Sequence, residues 1–226
     1  MGHDDIFKKR REERKKRSYE YKQPKANSYL IVTEGKKTEP LYLKGLVKLI
    51  QDKMGGNFNL VEIPTIDIKG EGCSTCKLLE KTSEIVKDAK IWYQNIWVVF
   101  DKDDNEDFDQ AIQEGIKKGY KIAWNNQCFE YWIYLHFHYS TSSLHRNQWM
   151  EKLDSLYKNN GLGERYEKNN PNIYYLLNSI DGVNTAIKNA KRRMSDFGIN
   201  IKRPSEYDPG TTMHILVEEL KRYLDE

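Results

Sequence analysis

The chain has 226 residues, 38% hydrophobic and 31% charged, with a formal net charge of +3, which suits one large domain or a domain with a modest appendage. A chain of this size buries roughly 70% of its unfolded surface, so folding does not depend on a metal or a disulfide. No apolar run approaches the ~20 residues that cross a bilayer, no apolar h-region follows the charged start, and three cysteines make no disulfide framework. These features exclude a membrane-spanning or disulfide-stapled protein and lead to the expectation of a soluble protein in a reducing cytoplasm.

The charge is unevenly spread. Residues 1–25 hold ten Lys or Arg against five acids, a local +5, which leaves the remaining 27 basic and 29 acidic residues at −2. Residues 1–27 read as a basic, flexible tail. It is either a solvated arm or a non-specific contact to a phosphate backbone, since clustered cations release counterions without reading bases.

After this tail, "YLIV" (29–32) reads as a short buried strand, and "TEPLYLKGLVKLIQDKM" (38–54) carries apolar residues at helical spacing with Thr38 as N-cap and Pro40 in the first turn. A second strand is expected over 58–68, weakened by Pro64. A glycine loop then opens an amphipathic helix that runs toward "NIWVVF" (95–100), the third strand. Another amphipathic helix ends at Gly119, "YKIAW" (120–124) is the fourth strand, and 128–137 is apolar nearly all round, a buried helix. Further helices are expected at 144–157, 172–195 and 211–224. Alternating strands and helices predict an α/β fold with a mainly parallel sheet of about four strands over 28–140. A helical C-terminal region, 141–226, packs on this core.

In such sheets functional groups gather beyond the carboxyl ends of the strands, where strand order reverses. The first strand ends in Glu34 and Gly35, and the third in Asp101, Asp103 and Asp104. A 2-1-3-4 order makes these ends neighbours. Clustered carboxylates repel one another unless a cation compensates, and Mg²⁺ or Mn²⁺ is the hard ion suited to them. Such an ion activates water and neutralises charge on a transferring phosphate. Gly35 permits a tight turn, and Lys36 and Lys37 fall where a phosphodiester needs cations. A calcium loop fails on spacing, because the required glycine and distal glutamate are missing after Asp101.

"LIVTEGKKTEPLY", "VVFDKDDNEDFDQAI", "CFEYWIYLHF" and "DPGTTMHILVEEL" occur here in the order seen in the RloB-like proteins. The chain resembles that family over about residues 28–220. The resemblance implies a Toprim-like, Rossmann-like core with a catalytic glutamate after the first strand and a DxD after the third, which fall on Glu34, Asp101 and Asp103. It also implies a place in prokaryotic restriction or phage defence and metal-dependent cleavage of nucleic acid, DNA or RNA, with tRNA a substrate to test. An ABC- or AAA-type ATPase encoded nearby is the implied partner. Where the family has Ser-Asn-Pro before "FE", this chain has Asn125, Asn126 and Gln127. Glu130 is either a further metal-site acid or a bond to backbone donors at a helix start. Glu39 is either a second metal ligand or a first-turn helix charge.

Other signals carry less. The lone "CSTC" at 73–76 has no second pair for zinc, and a helix start capped by Ser74 or Thr75 accounts for it. His136 and His138 face different ways on a helix and read as core or surface residues. His214 either touches phosphate or packs. Lys191, Arg192 and Arg193 form either a phosphate patch or a solvated helix face.

Overall fold

The run from Tyr29 to Val32 sends alternate side chains to opposite sides, and both sides are covered: Tyr29 and Ile31 join one hydrophobic core, Leu30 and Val32 another. A computed structural model describes residues 24–55, 65–73, 75–198 and 203–225 of the chain. The sheet comprises β1 (Pro24–Thr33), β2 (Thr65–Gly70), β3 (Trp92–Asp101), β4 (Lys121–Asn126) and the short β5 (Gly210–Thr211). Its order is β2-β1-β3-β4-β5. The first four strands are parallel, in the order expected, and β5 runs antiparallel to β4.

Three crossover helices join the parallel strands: α1 (Thr38–Gly55), α2 (Thr75–Asp88) and α3 (Phe108–Lys117). From α1, Tyr42, Leu43, Leu46 and Ile50 pack on the face that holds Ile31, Trp97 and Val99. From α2 and α3, Leu78, Leu79, Phe108, Ala111 and Ile112 pack on the opposite face against Leu30, Val98 and Phe100. Leu30 is fully buried, a position where truncation to alanine costs about 2–5 kcal/mol.

The C-terminal region adds α4 (Phe129–Tyr134), α5 (Arg146–Asn159), α6 (Ile173–Ser179), α7 (Gly182–Asp196) and α8 (Met213–Asp225). Trp149, Leu177, Ala186 and Leu216 carry these helices into the core on the α1 side. The chain therefore has one helical layer on the α2–α3 face and a thicker one on the other. Among the described residues no helix is long and apolar enough to cross a membrane.

Several boundaries differ from the sequence reading. The tail, expected to reach residue 27, gives way to β1 at Pro24, and its earlier part lies outside the described residues, as do 58–64 of the second-strand reading. The helix expected over 172–195 is two helices, α6 and α7, broken at Asp181, which adopts φ 55°. Gly182 is needed at the break, because a Cβ there would lie 2.6 Å from the Leu177 carbonyl oxygen. The last helix begins at Met213 rather than 211, because Gly210 and Thr211 pair with β4.

Candidate functional site

The carboxyl ends of β1 and β3 are tied together through Glu34. Its amide donates to the Val99 carbonyl at 2.8 Å, and its own carbonyl accepts from Gly72 at 2.7 Å. The Glu34 carboxylate accepts from the Asp101 amide at 3.1 Å. Thr33 closes the following turn by donating its hydroxyl to the Gly35 carbonyl at 2.8 Å. Gly35 leaves room for Glu39, whose carboxylate lies where a Cβ would come within 2.1 Å of it. Gly72, at φ 64°, likewise makes way for the stem of Lys36.

Asp101 closes β3 with each carboxylate oxygen engaged, one by the Asn125 side-chain amide and one by the Phe129 backbone amide, both at 2.9 Å. Two residues on, Asp103 takes φ 37° and accepts from Arg146 at 3.3 Å. Glu34, Lys36, Lys37, Glu39, Asp101 and Asp103 all line one cleft of about 350 Å³, which Thr38, Lys168 and Asn169 complete. Glu130 stands beside this cleft rather than in its lining; it is buried and pairs with the Lys168 ammonium at 2.8 Å. Asp104 is exposed and outside the lining.

Concentrating acids here disturbs their protonation. Burial pushes the Glu34 carboxyl up to about 7, helped by Asp103 and Glu39 and opposed by the Asp101 amide. Burial also raises Asp101, with repulsion from Glu39 and Glu130 added and the Asn125 bond opposed. Glu39 is raised by burial and by Glu130, while Lys168 acts against this. Burial raises Asp103, and Arg146 pulls it back. Lys168 loses hydration, yet Glu130 still holds its ammonium above the ordinary value.

The donor chemistry fits a hard divalent cation: carboxylate oxygens from two adjacent strand ends, with that of Glu39 beside them. The side chains do not converge as they stand. Among the described residues no three His, Cys, Asp or Glu form a ready ligand set. Glu34 is turned to the Asp101 amide and Asp103 to Arg146.

The remaining sequence candidates lie elsewhere. Arg193 is buried, donates to the carbonyls of Pro209 at 2.9 Å and Asp208 at 3.1 Å, and stacks on Phe197. Its reading as part of an exposed phosphate patch is corrected: those carbonyls occupy its guanidinium. Arg192 is exposed and lies over the Tyr139 ring. His214 is buried at the start of α8, outside the cleft, and burial lowers its pKa. Asp107 occupies the start of α2, accepting from the Cys76 amide at 3.2 Å and from the Thr75 hydroxyl. Thr75 is thus a donor there rather than a cap acceptor, and Ser74 lies outside the described residues. Burial and Asp107 push the Cys76 thiol up to about 12, which suits a structural cysteine rather than a redox one.

Sequence reasoning missed Lys168, Arg146, Asn125 and Thr211. The first two reach the site from the C-terminal region, where no strand end or glycine loop marks them. Asn125 stood out only as a departure from the Ser-Asn-Pro pattern, and Thr211 only as part of "DPGTTMHILVEEL".

A family model described as RloB-like protein matches residues 29–220. No curated protein and no solved structure matches the chain.

Proposed function

The chain belongs to the RloB-like family, and on that premise we propose that it is a Toprim-type, Mg²⁺- or Mn²⁺-dependent nuclease subunit that cleaves phosphodiester bonds in DNA or RNA. It acts in prokaryotic phage defence together with an ABC- or AAA-type ATPase. One observation carries this reading: Glu34 and the distant pair Asp101 and Asp103 line a single cleft that Lys36, Lys37 and Lys168 line as well. Asp101, Asp103 and Glu34 would hold the ion, with Glu39 and Glu130 as candidates for a second. When bound, it supplies an activated water and charge neutralisation at the phosphate.

The protein's own groups account for the rest. Lys36 and Lys37, both exposed at the rim, attract and steady the phosphodiester. Glu34 either ligates the ion or, unligated, serves as the base: a carboxyl that burial raises to about 7 suits a group that accepts a proton from attacking water around neutral pH. Asp101 is fixed by two donors and serves as the invariant point around which the adjustable Glu34 and Asp103 arrange.

A second reading is a non-catalytic nucleic-acid-binding or regulatory subunit. It is favoured by the lack of a ready three-ligand set among the described residues, with Lys168 and Arg146 already compensating the acids. Labelled tRNA and plasmid DNA incubated with Mg²⁺, Mn²⁺ or EDTA, with and without the ATPase, separate the two. The nuclease reading expects metal-dependent product that Glu34→Gln and Asp101→Asn abolish with little change in unfolding midpoint. Product that persists in both variants, or none under any combination, rules it out.

A further inference from the structure

Asp101, Asn125 and Thr211 stand side by side across β3, β4 and β5, since Asp101 pairs with Asn125 and Asn125 with Thr211 in the sheet register. Asn125 and Thr211 are fully buried, and their hydrogen bonds run in one direction. The Met213 amide, which can only donate, gives its proton to the Thr211 hydroxyl oxygen at 3.1 Å. The single Thr211 hydroxyl proton goes to Asn125 Oδ1 at 2.7 Å. With its carbonyl so engaged, Asn125 turns its NH₂ to Asp101 Oδ1 at 2.9 Å. The orientation of a side-chain amide is decided by such partners, and here they leave one choice. A reversed amide would set its oxygen against the Asp101 carboxylate.

The strap that carries Thr211 is itself held. Arg193 binds the carbonyls of Asp208 and Pro209. Thr212 exchanges two bonds with Trp124, each 2.9 Å: its amide to the Trp124 carbonyl and the Trp124 amide to its hydroxyl. Gly210 passes so close to Tyr207 that a Cβ would lie 2.6 Å from its carbonyl oxygen. This gives the buried Arg193 a role other than phosphate contact.

We propose that Thr211, acting through Asn125, is a positioning residue that fixes the Asp101 carboxylate for cation binding, so that the C-terminal strap sets the geometry of the cleft. This rests on the metal-dependent reading above. Groups that orient a ligating carboxylate cost about 10–100-fold in metal affinity when removed, whereas a merely structural polar network affects stability alone.

The test is Mn²⁺ affinity of the full chain, measured by titration calorimetry well below the unfolding midpoint, for wild type, Thr211→Val, Thr211→Ser and Asp101→Asn. Thr211→Val keeps the shape and loses the hydroxyl; it is expected to bind Mn²⁺ at least about tenfold more weakly. Thr211→Ser restores wild-type affinity. Thr211→Ala, which adds no bulk, carries the same expectation as the valine variant if that variant folds poorly. Binding that depends on Asp101 but is unchanged in Thr211→Val and Thr211→Ala overturns this inference and leaves the metal reading standing. Wild-type protein with no Asp101-dependent Mn²⁺ binding overturns both.

Discussion

The floor and the mouth of the cleft hold their acids in different ways. On the floor, Glu39 is buried, as is Glu130 just behind the lining, and Glu130 keeps the ammonium of Lys168 within 2.8 Å. At the mouth, Glu34 and Asp103 are half-buried, and the Arg146 partner of Asp103 is exposed and 3.3 Å away. Both cations reach water, so the contrast lies in the acids: Glu130 is almost fully buried and Asp103 is not, which couples Glu130 to its partner more strongly than Asp103. Asp101 sits between the two, with both oxygens bonded to fixed donors. The difference is one of burial: below, an acid whose stability depends on its paired cation, and above, acids that water partly solvates.

The largest effect is expected from the floor. Lys168→Met leaves Glu130 buried without its cation, a loss that approaches 3–5 kcal/mol for fully buried pairs; Lys168 keeps part of its hydration, so about 1–2 kcal/mol is expected in denaturant unfolding. Adding Glu130→Gln should recover most of it, because the neutral amide no longer needs the partner. A double variant as unstable as the single one would mean that Lys168 contributes packing and not charge.

The pH dependence sharpens the contrast. Glu34 has an ordinary value of 4.5 and is raised to about 7 in the fold. Between those values the folded state holds a proton that the unfolded state has released, so stability falls as pH rises across this window and levels off above it. Chelator-treated protein should therefore show a falling thermal midpoint from pH 5 to pH 7.5, with a shallower slope in Glu34→Gln. Some slope remains, since Asp101, Glu39 and Asp103 are shifted the same way. Identical slopes would place the effect on those residues alone.

The smallest effect belongs to the mouth. Arg146→Ala removes an exposed partner of Asp103 and should change stability by less than about 1 kcal/mol. Freed from the guanidinium, Asp103 should bind Mn²⁺ no more weakly than in wild type. A marked loss of Mn²⁺ affinity would show that Arg146 orients Asp103 instead of occupying it.

The sequence is informative about the sheet for a plain reason. "YLIV" and "NIWVVF" are apolar on both parities, which only a strand covered on both faces tolerates, and each gives way to acids as the strand leaves the core. The helix expected over 172–195 misled because its spacing is helical throughout, while the break rests on the left-handed Asp181 and on the close approach of Gly182 to the Leu177 carbonyl.

Local chemistry thus determined the four parallel strands and the helices that join them, and that Glu34, Asp101 and Asp103 lie at strand ends. Only the tertiary structure decided what surrounds them: Lys168 against Glu130, Arg146 against Asp103, and Thr211 behind Asn125. These partners are separated by 38 to 86 positions in the chain, and neither hydrophobic period nor spacing encodes a contact between polar groups brought together by the packing of other residues.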